Sequence, residues 1–212
     1  MAQLLETEEV LRNHIAWKTP ADEVAGIVRL VRRQLQGNAQ MAMDGVYVAV
    51  PNKVWLSAFS QALGAARITC FSPKQLANAM SSTEEMPLED FGGSVCLGSY
   101  GSIAAVAPVH LFATGLVEGF YPVGTEDEAV LAREAAVLNG ALETVPGTLI
   151  LSSFKRVSPD EAAEWRLPVA RRRKEHGRDV VIVTHSCFID RMYDAAPALV
   201  SGEQFISNLF GI

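Results

Sequence analysis

The stretch Val46-Tyr47-Val48-Ala49-Val50-Pro51-Asn52-Lys53-Val54-Trp55-Leu56-Ser57-Ala58-Phe59-Ser60-Gln61-Ala62-Leu63-Gly64 passes from one backbone period to another. Its first five residues are β-branched or apolar without polar alternation, which predicts a strand covered on both faces. Pro51 ends that strand. Trp55, Phe59 and Leu63 then recur every four residues, the spacing of a helix with one buried stripe, and Gly64 suits its C-terminal end. A doubly covered strand followed by an amphipathic helix is the repeating unit of a parallel α/β sheet.

The same alternation extends in both directions. Upstream, Thr19-Pro20-Ala21-Asp22-Glu23 supplies a cap, a first-turn proline and two acids for the positive end of a helix dipole. Val24, Ile27, Val28, Val31 and Leu35 continue that helix to Gly37-Asn38. Downstream, Ile68 to Phe71 reads as a short strand, and residues 72–92 as a polar connection with a short helix and a loop. Strands are expected at 94–98, 105–113 and Thr148 to Ser152, with a helix over 126–143. Ser158-Pro159-Asp160-Glu161 opens what reads as a long helix running through Arg171-Arg172-Arg173-Lys174 to Gly177, followed by a buried strand from Val180 to Val183. The expected architecture is one three-layer α/β domain over residues 1–212, its mainly parallel sheet flanked by helices.

Composition narrows the function. The chain has 212 residues, 49% of them apolar, and 18 Lys+Arg against 24 Asp+Glu for a formal charge of -6. That argues against disorder and against a wholesale polyanion binder, while leaving room for a local basic patch. Cys70, Cys96 and Cys187 lie far apart without a CxxC or Cys/His spacing, so no disulfide framework and no metal site is expected, and a reducing cytoplasm suits them. The N-terminus lacks a basic and apolar leader. No stretch reaches the roughly 18 uninterrupted apolar residues of a spanning helix, so no membrane partner is expected. The longest charge-free interval, Phe91 to Val117, is broken by Gly92, Gly93, Gly98, Gly101 and Pro108.

Few residues point to chemistry. Gly93-Ser94-Val95-Cys96-Leu97-Gly98 echoes a phosphate loop, but Ser99-Tyr100 stand where a lysine and a hydroxyl residue are needed to meet the phosphates. His185 follows the Val181-Ile182-Val183 run, at the kind of strand end where open α/β sheets place ligands; a half-buried, hydrogen-bonded histidine explains it better than a catalytic one in an α/β hydrolase. His185, Ser186 and Asp190 lie too close in sequence for a serine triad. Arg166, Arg171, Arg172, Arg173, Lys174 and Arg178 could line a nucleic-acid backbone, since phosphate contacts need only flexible cations on one face. A solvated helix end favoured by the dipole explains the cluster equally well.

Leu111-Phe112-Ala113-Thr114-Gly115-Leu116-Val117-Glu118-Gly119-Phe120-Tyr121-Pro122 resembles a segment of UvrD/Rep-type superfamily 1 DNA helicases, in which a strand enters a G-[LM]-x-[ED]-G-x-[FY]-P corner after motif V. Gly115, Glu118, Gly119 and Pro122 carry the match. The helix from Pro20 and the strand Val46 to Val50 are similar to the family's P-x-x-E-A helix and the strand after it. Asn52 to Ile68 resembles its next helix, Leu149-Ile150-Leu151-Ser152 the strand after motif VI, and Ser186-Cys187-Phe188-Ile189-Asp190 its closing segment. The resemblance implies the C-terminal RecA-like lobe of such a motor, with 72–92 in place of a large insertion. DNA, a phosphate-loop helicase lobe or a nuclease subunit are the partners it implies.

The departures from the family bear on chemistry. The motif V equivalent, Ser99 to Ala107, contains no His, Lys or Glu. The motif VI equivalent, Ala136 to Val145, has Thr144 where the family places the arginine that reaches the γ-phosphate, with Glu143 beside it. An arginine finger contributes roughly a thousandfold or more in rate, and threonine cannot replace its charge. The resemblance therefore implies a lobe without catalytic residues of its own, taking ATP only if a partner lobe supplies the phosphate loop.

Overall fold

The computed structural model describes residues 12–37, 45–81, 94–121, 127–167, 171–191 and 199–211. In chain order the elements are β1 (Arg12–Trp17), α1 (Pro20–Gly37), β2 (Val46–Val50), α2 (Lys53–Ala65), β3 (Thr69–Phe71), α3 (Pro73–Ser81) and β4 (Ser94–Ser99). A 3₁₀ turn at Tyr100–Ser102 leads into α4 (Ile103–Val106), then β5 (His110–Ala113), α5 (Glu128–Thr144) and β6 (Leu149–Phe154). The chain closes with β7 (Arg156–Val157), α6 (Pro159–Glu164), β8 (Arg171–Glu175), β9 (Arg178–Ile182), α7 (Cys187–Arg191), β10 (Leu199–Ser201) and α8 (Gly202–Phe210).

Among the described residues, seven strands form one all-parallel sheet in the order β10-β1-β6-β5-β2-β4-β3. Alternate residues of each strand feed two separate cores, as the two-residue period requires. Val46, Val48 and Val50 of β2, Phe112 of β5, and Ile150 and Phe154 of β6 pack with α1, α2 and α8 on one face. Tyr47, Ala49, Leu111, Ala113, Leu149 and Leu151 pack with α3, α4, α5 and α7 on the other. This is the three-layer α/β architecture of RecA-like domains, and the absence of polar alternation in β2, buried at all five positions, is its direct cause.

The N-terminal half follows the sequence closely. Asn52 caps α2 through its side chain, accepting from Trp55 N at 3.0 Å, and α1 spans the Pro20 to Gly37 interval that its caps indicate. Of the polar connection 72–92, α3 supplies the short helix, and residues 82–93 lie outside the described residues.

Three expectations are corrected. The strand expected over 105–113 begins only at His110, because Ile103–Val106 forms a helical turn that ends with Ala107 in the left-handed region (φ 48°). Short apolar runs do not separate helix from strand by period alone, and the alanines favour helix. The long helix expected from Ser158 to Gly177 stops at Glu164: Ser158 and Glu161 form a reciprocal capping box, but Arg166 turns left-handed (φ 53°) and Pro168 cannot continue a helix. Arg171–Glu175 is a strand instead. It pairs antiparallel with Arg178–Ile182, so the expected Val180 to Val183 strand belongs not to the parallel sheet but to a second, three-stranded one ordered β7-β9-β8. β1, β10 and α8, which sequence patterning did not single out, complete the far edge of the large sheet.

Candidate nucleic-acid interface

The β8–β9 hairpin is specified by its turn. Glu175 pairs with Arg178, leaving His176 and Gly177 as a two-residue loop, and both have positive φ (51° and 78°). That is the requirement of the type I′ turn whose twist matches paired strands. His176-Gly177 therefore marks a hairpin tip and not a helix end. Arg171 to Lys174 are all exposed along β8, which is the edge of its sheet. Such charges also keep an edge strand from pairing with another chain.

Arg171, Arg172 and Arg173 line a cavity of about 720 Å³ together with Lys155, Arg156, Glu175, Thr184 and His185. Lys155 and Arg156 reach it because β6 ends at Phe154: Lys155 N donates to Trp17 O (3.0 Å), and its carbonyl accepts from Val183 N (2.8 Å). The carboxyl ends of β1 and β6 are thus stitched to the segment after β9. Arg156 pairs with Glu175, the one carboxylate in the lining. Among the described residues Lys155, Arg171, Arg172 and Arg173 form no ion pair. A cleft lined by five cationic side chains and one carboxylate, on a chain of net charge -6, concentrates the positive charge that a polyanion favours.

Some residues of the basic cluster stand apart. Arg166 sits in the turn after α6, Lys174 is opposite Asp179, and Arg178 is opposite Glu175; none of the three faces the cavity. Lys155 and Arg156, absent from the sequence-level cluster, join it. Their sequence signal was a pair of cations directly after a wholly buried strand, at the end where α/β sheets expose ligand sites.

His185 lines the cavity half-buried, bridged to Val117 in antiparallel fashion, its ring 5.8 Å from that of His14. The strand it follows is β9 of the small sheet, and the bridge to Val117, past the end of β5, brings it beside the carboxyl ends of the parallel sheet from outside that sheet. Ser186 is fully buried and its hydroxyl accepts from Phe188 N at 3.2 Å, so Ser186 is not an exposed nucleophile beside His185.

The glycine corner is structural. Gly115 adopts φ 64°, and a Cβ there would stand 2.8 Å from Pro51 Cγ, so only glycine fits. Its N–H donates to Glu23 Oε1 at 2.9 Å. Glu118 N donates to Thr184 O at 3.1 Å, and the Glu118 carboxylate accepts from Cys187 N, holding the start of α7. Gly119 is left-handed at φ 88°. Pro122 lies outside the described residues.

The charge-free interval is packed in part: Ser99, Gly101, Ala104, Ala105 and Ala107 are exposed, and two bulkier side chains turn inward. Tyr100 and Ile103 are buried; the Tyr100 ring stacks on Tyr121 at 4.0 Å, and its hydroxyl donates to Thr114 O at 2.7 Å. Burial and the neighbouring acidic groups push the Tyr100 phenol well above its ordinary value, so it stays neutral. Gly98 lets Tyr47 and Pro73 approach: a Cβ there would lie 2.5 Å from the Tyr47 hydroxyl, so its part is close packing within β4. Thr144 and Glu143 are exposed on the last turn of α5, before β6 begins, and therefore at the opposite end of the sheet from Lys155. The Thr144 hydroxyl donates back to Gly140 O at 2.7 Å.

Among the described residues no cluster of His, Cys, Asp or Glu is placed to hold a metal ion, and no helix is long and apolar enough to cross a membrane. The chain matches no protein-family model and no curated protein.

Proposed function

We propose that this chain is a single RecA-like lobe, resembling the C-terminal motor lobe of UvrD/Rep-type DNA helicases, that retains binding and has lost nucleotide chemistry. It acts in the cytoplasm as a DNA-binding or protein-binding component of repair or recombination. The observation that carries this reading is the cleft lined by Lys155, Arg171, Arg172 and Arg173 on an otherwise acidic chain. The aromatic packing around Tyr100, where the family places charged motif V groups, supports the loss of nucleotide chemistry.

An anisotropy titration with labelled single-stranded DNA at two salt concentrations tests it. Phosphate contacts release counterions, so affinity should fall with salt by a log–log slope of about 0.7 per contact. The Arg171→Ala/Arg172→Ala double variant should bind more weakly and with a shallower slope. Salt-independent affinity that the double variant keeps would sink the hairpin as the site.

The exposure of Thr144 and Glu143 favours a second reading, in which a separate phosphate-loop lobe docks on that end and supplies ATP chemistry. Adding such a lobe should then produce ATP turnover, and Thr144→Arg should raise nucleotide affinity in the mixture. No change on that substitution favours the binding-only role.

A further inference from the structure

A second depression adjoins the hairpin cleft. It measures about 450 Å³ and lies among the end of β1, the first turns of α1 and the start of α8. Trp17, Gly26 and Gly202 shape it: a Cβ on Gly26 would stand 2.0 Å from Trp17 Cη2, and one on Gly202 2.3 Å from Trp17 Cε3, so the indole lies flat between two bare backbones. Lys155 and Arg156 line both depressions, and Lys18 and Arg29 add further cations to the second. Its carboxylates are occupied: Glu203 pairs with Lys18, and Asp22 accepts from Thr19 N and Thr19 Oγ1. Across the two depressions seven cationic side chains face three carboxylates, while the whole chain carries -6.

We infer that the two depressions form one continuous path for single-stranded nucleic acid, running from Arg171–Arg173 past Lys155 to Arg29. This rests on the binding function proposed above and extends it to residues outside the basic run of the sequence. The path follows the carboxyl ends of β6 and β1, the position where open α/β sheets take ligands. It turns from the hairpin onto the α1–α8 surface, a course a flexible single strand can follow and a stiff duplex cannot. Trp17 is 5% exposed and packed between backbones, so it offers no face for base stacking, and the path reads phosphates without sequence preference. The acidic remainder of the surface repels the same polyanion and confines it to this track.

The test is anisotropy of fluorescein-labelled oligothymidylates of about 4 and about 12 nucleotides, a range that brackets single-strand site sizes, on the full chain and on Arg29→Glu and Arg172→Glu. Both arginines are exposed, and thermal unfolding monitored by circular dichroism checks that both variants fold; if Arg29→Glu does not, Arg29→Gln asks the same question with a smaller effect. The wild type should bind the longer strand about tenfold tighter than the shorter. Arg29→Glu should weaken the longer strand about tenfold and leave the shorter within about twofold, with a salt slope lower by roughly 0.7. Arg172→Glu should weaken both. If Arg29→Glu binds the longer strand like the wild type while Arg172→Glu loses both, the continuous path is overturned and the hairpin site stands. If neither strand binds the wild type, both readings fall. Displacement by polyglutamate at equal charge concentration as effective as by unlabelled oligonucleotide would assign the track to an acidic polypeptide and overturn the nucleic-acid inference.

Discussion

Glu23 is fully buried in α1, its Oε1 accepting from Gly115 N at 2.9 Å and from Ser152 Oγ at 2.5 Å, while Trp17 Nε1 donates to the same serine at 2.9 Å. One carboxyl thus joins the first helix, the end of β1, β6 and the glycine corner. Burial raises its pKa from 4.5 to about 7, against the opposing pull of its two hydrogen bonds. The folded state therefore keeps the proton after the unfolded chain has released it. Between pH 4.5 and 7 the folded form holds more protons, so stability falls as pH rises and is constant above that window. Glu23→Gln keeps an acceptor for Gly115 without an ionisable proton. Its stability relative to the wild type should improve by about 3 kcal/mol across the window, read from denaturant unfolding at both ends; an unchanged difference would mean that Glu23 does not titrate there. Gly26 carries a prediction of the opposite sign. Alanine gains up to about 1 kcal/mol of helix propensity, but the clash with Trp17 costs about 1–3 kcal/mol, so Gly26→Ala should lower the melting temperature and Trp17→Phe should recover part of that loss.

At the scale of elements, the small antiparallel sheet is held to the large one by aromatic packing. Trp165, after α6, meets Trp55 of α2 edge-on at 5.4 Å and Phe120 of the corner at 5.6 Å, and Phe154 at the end of β6 closes the group at 5.4 Å from Trp55. Such pairs contribute about 0.5–1.5 kcal/mol each beyond the area they bury. They fix the end of α6 against the sheet, while the pairing of β8 with β9 and of β9 with β7 brings Arg171 to Arg173 to the cavity that Lys155 also lines. The turn itself is open to improvement. Asn-Gly suits two left-handed positions better than His-Gly, so His176→Asn should stabilise the hairpin by a few tenths of a kcal/mol, and Gly177→Val should destabilise it. Hydrogen exchange of the β9 amides checks both: slower in the first variant and faster in the second, with β2 exchange unchanged in each.

For the molecule as a whole, a ligand that binds only the folded state stabilises it by mass action. Oligothymidylate at about a hundredfold its Kd should raise unfolding free energy by about 2.7 kcal/mol, and the gain should shrink with added salt; a melting temperature indifferent to oligonucleotide at low salt contradicts nucleic-acid binding. The class of this fold was legible in the sequence, because Val46 to Val50 and Leu149 to Leu151 lack polar alternation and strands of that kind need cover on both faces. Helix starts at Pro20, Asn52 and Ser158 were equally legible, since capping is a local interaction within three residues. The hairpin was misread as helix because long cationic side chains carry no period, and an exposed edge strand has no buried face to print one. Lys155 and Arg156 were invisible as partners of Arg171, fifteen or more positions away, for the reason that applies to any site assembled across a sheet. Sequence determined which segments must be covered and where helices begin, because those follow from local hydrogen bonding and solvent exclusion. Only tertiary structure decided that Tyr100 of the charge-free interval stacks on Tyr121 and that two basic depressions meet at Lys155 and Arg156, because strand order and the direction of a turn are set by packing between distant segments.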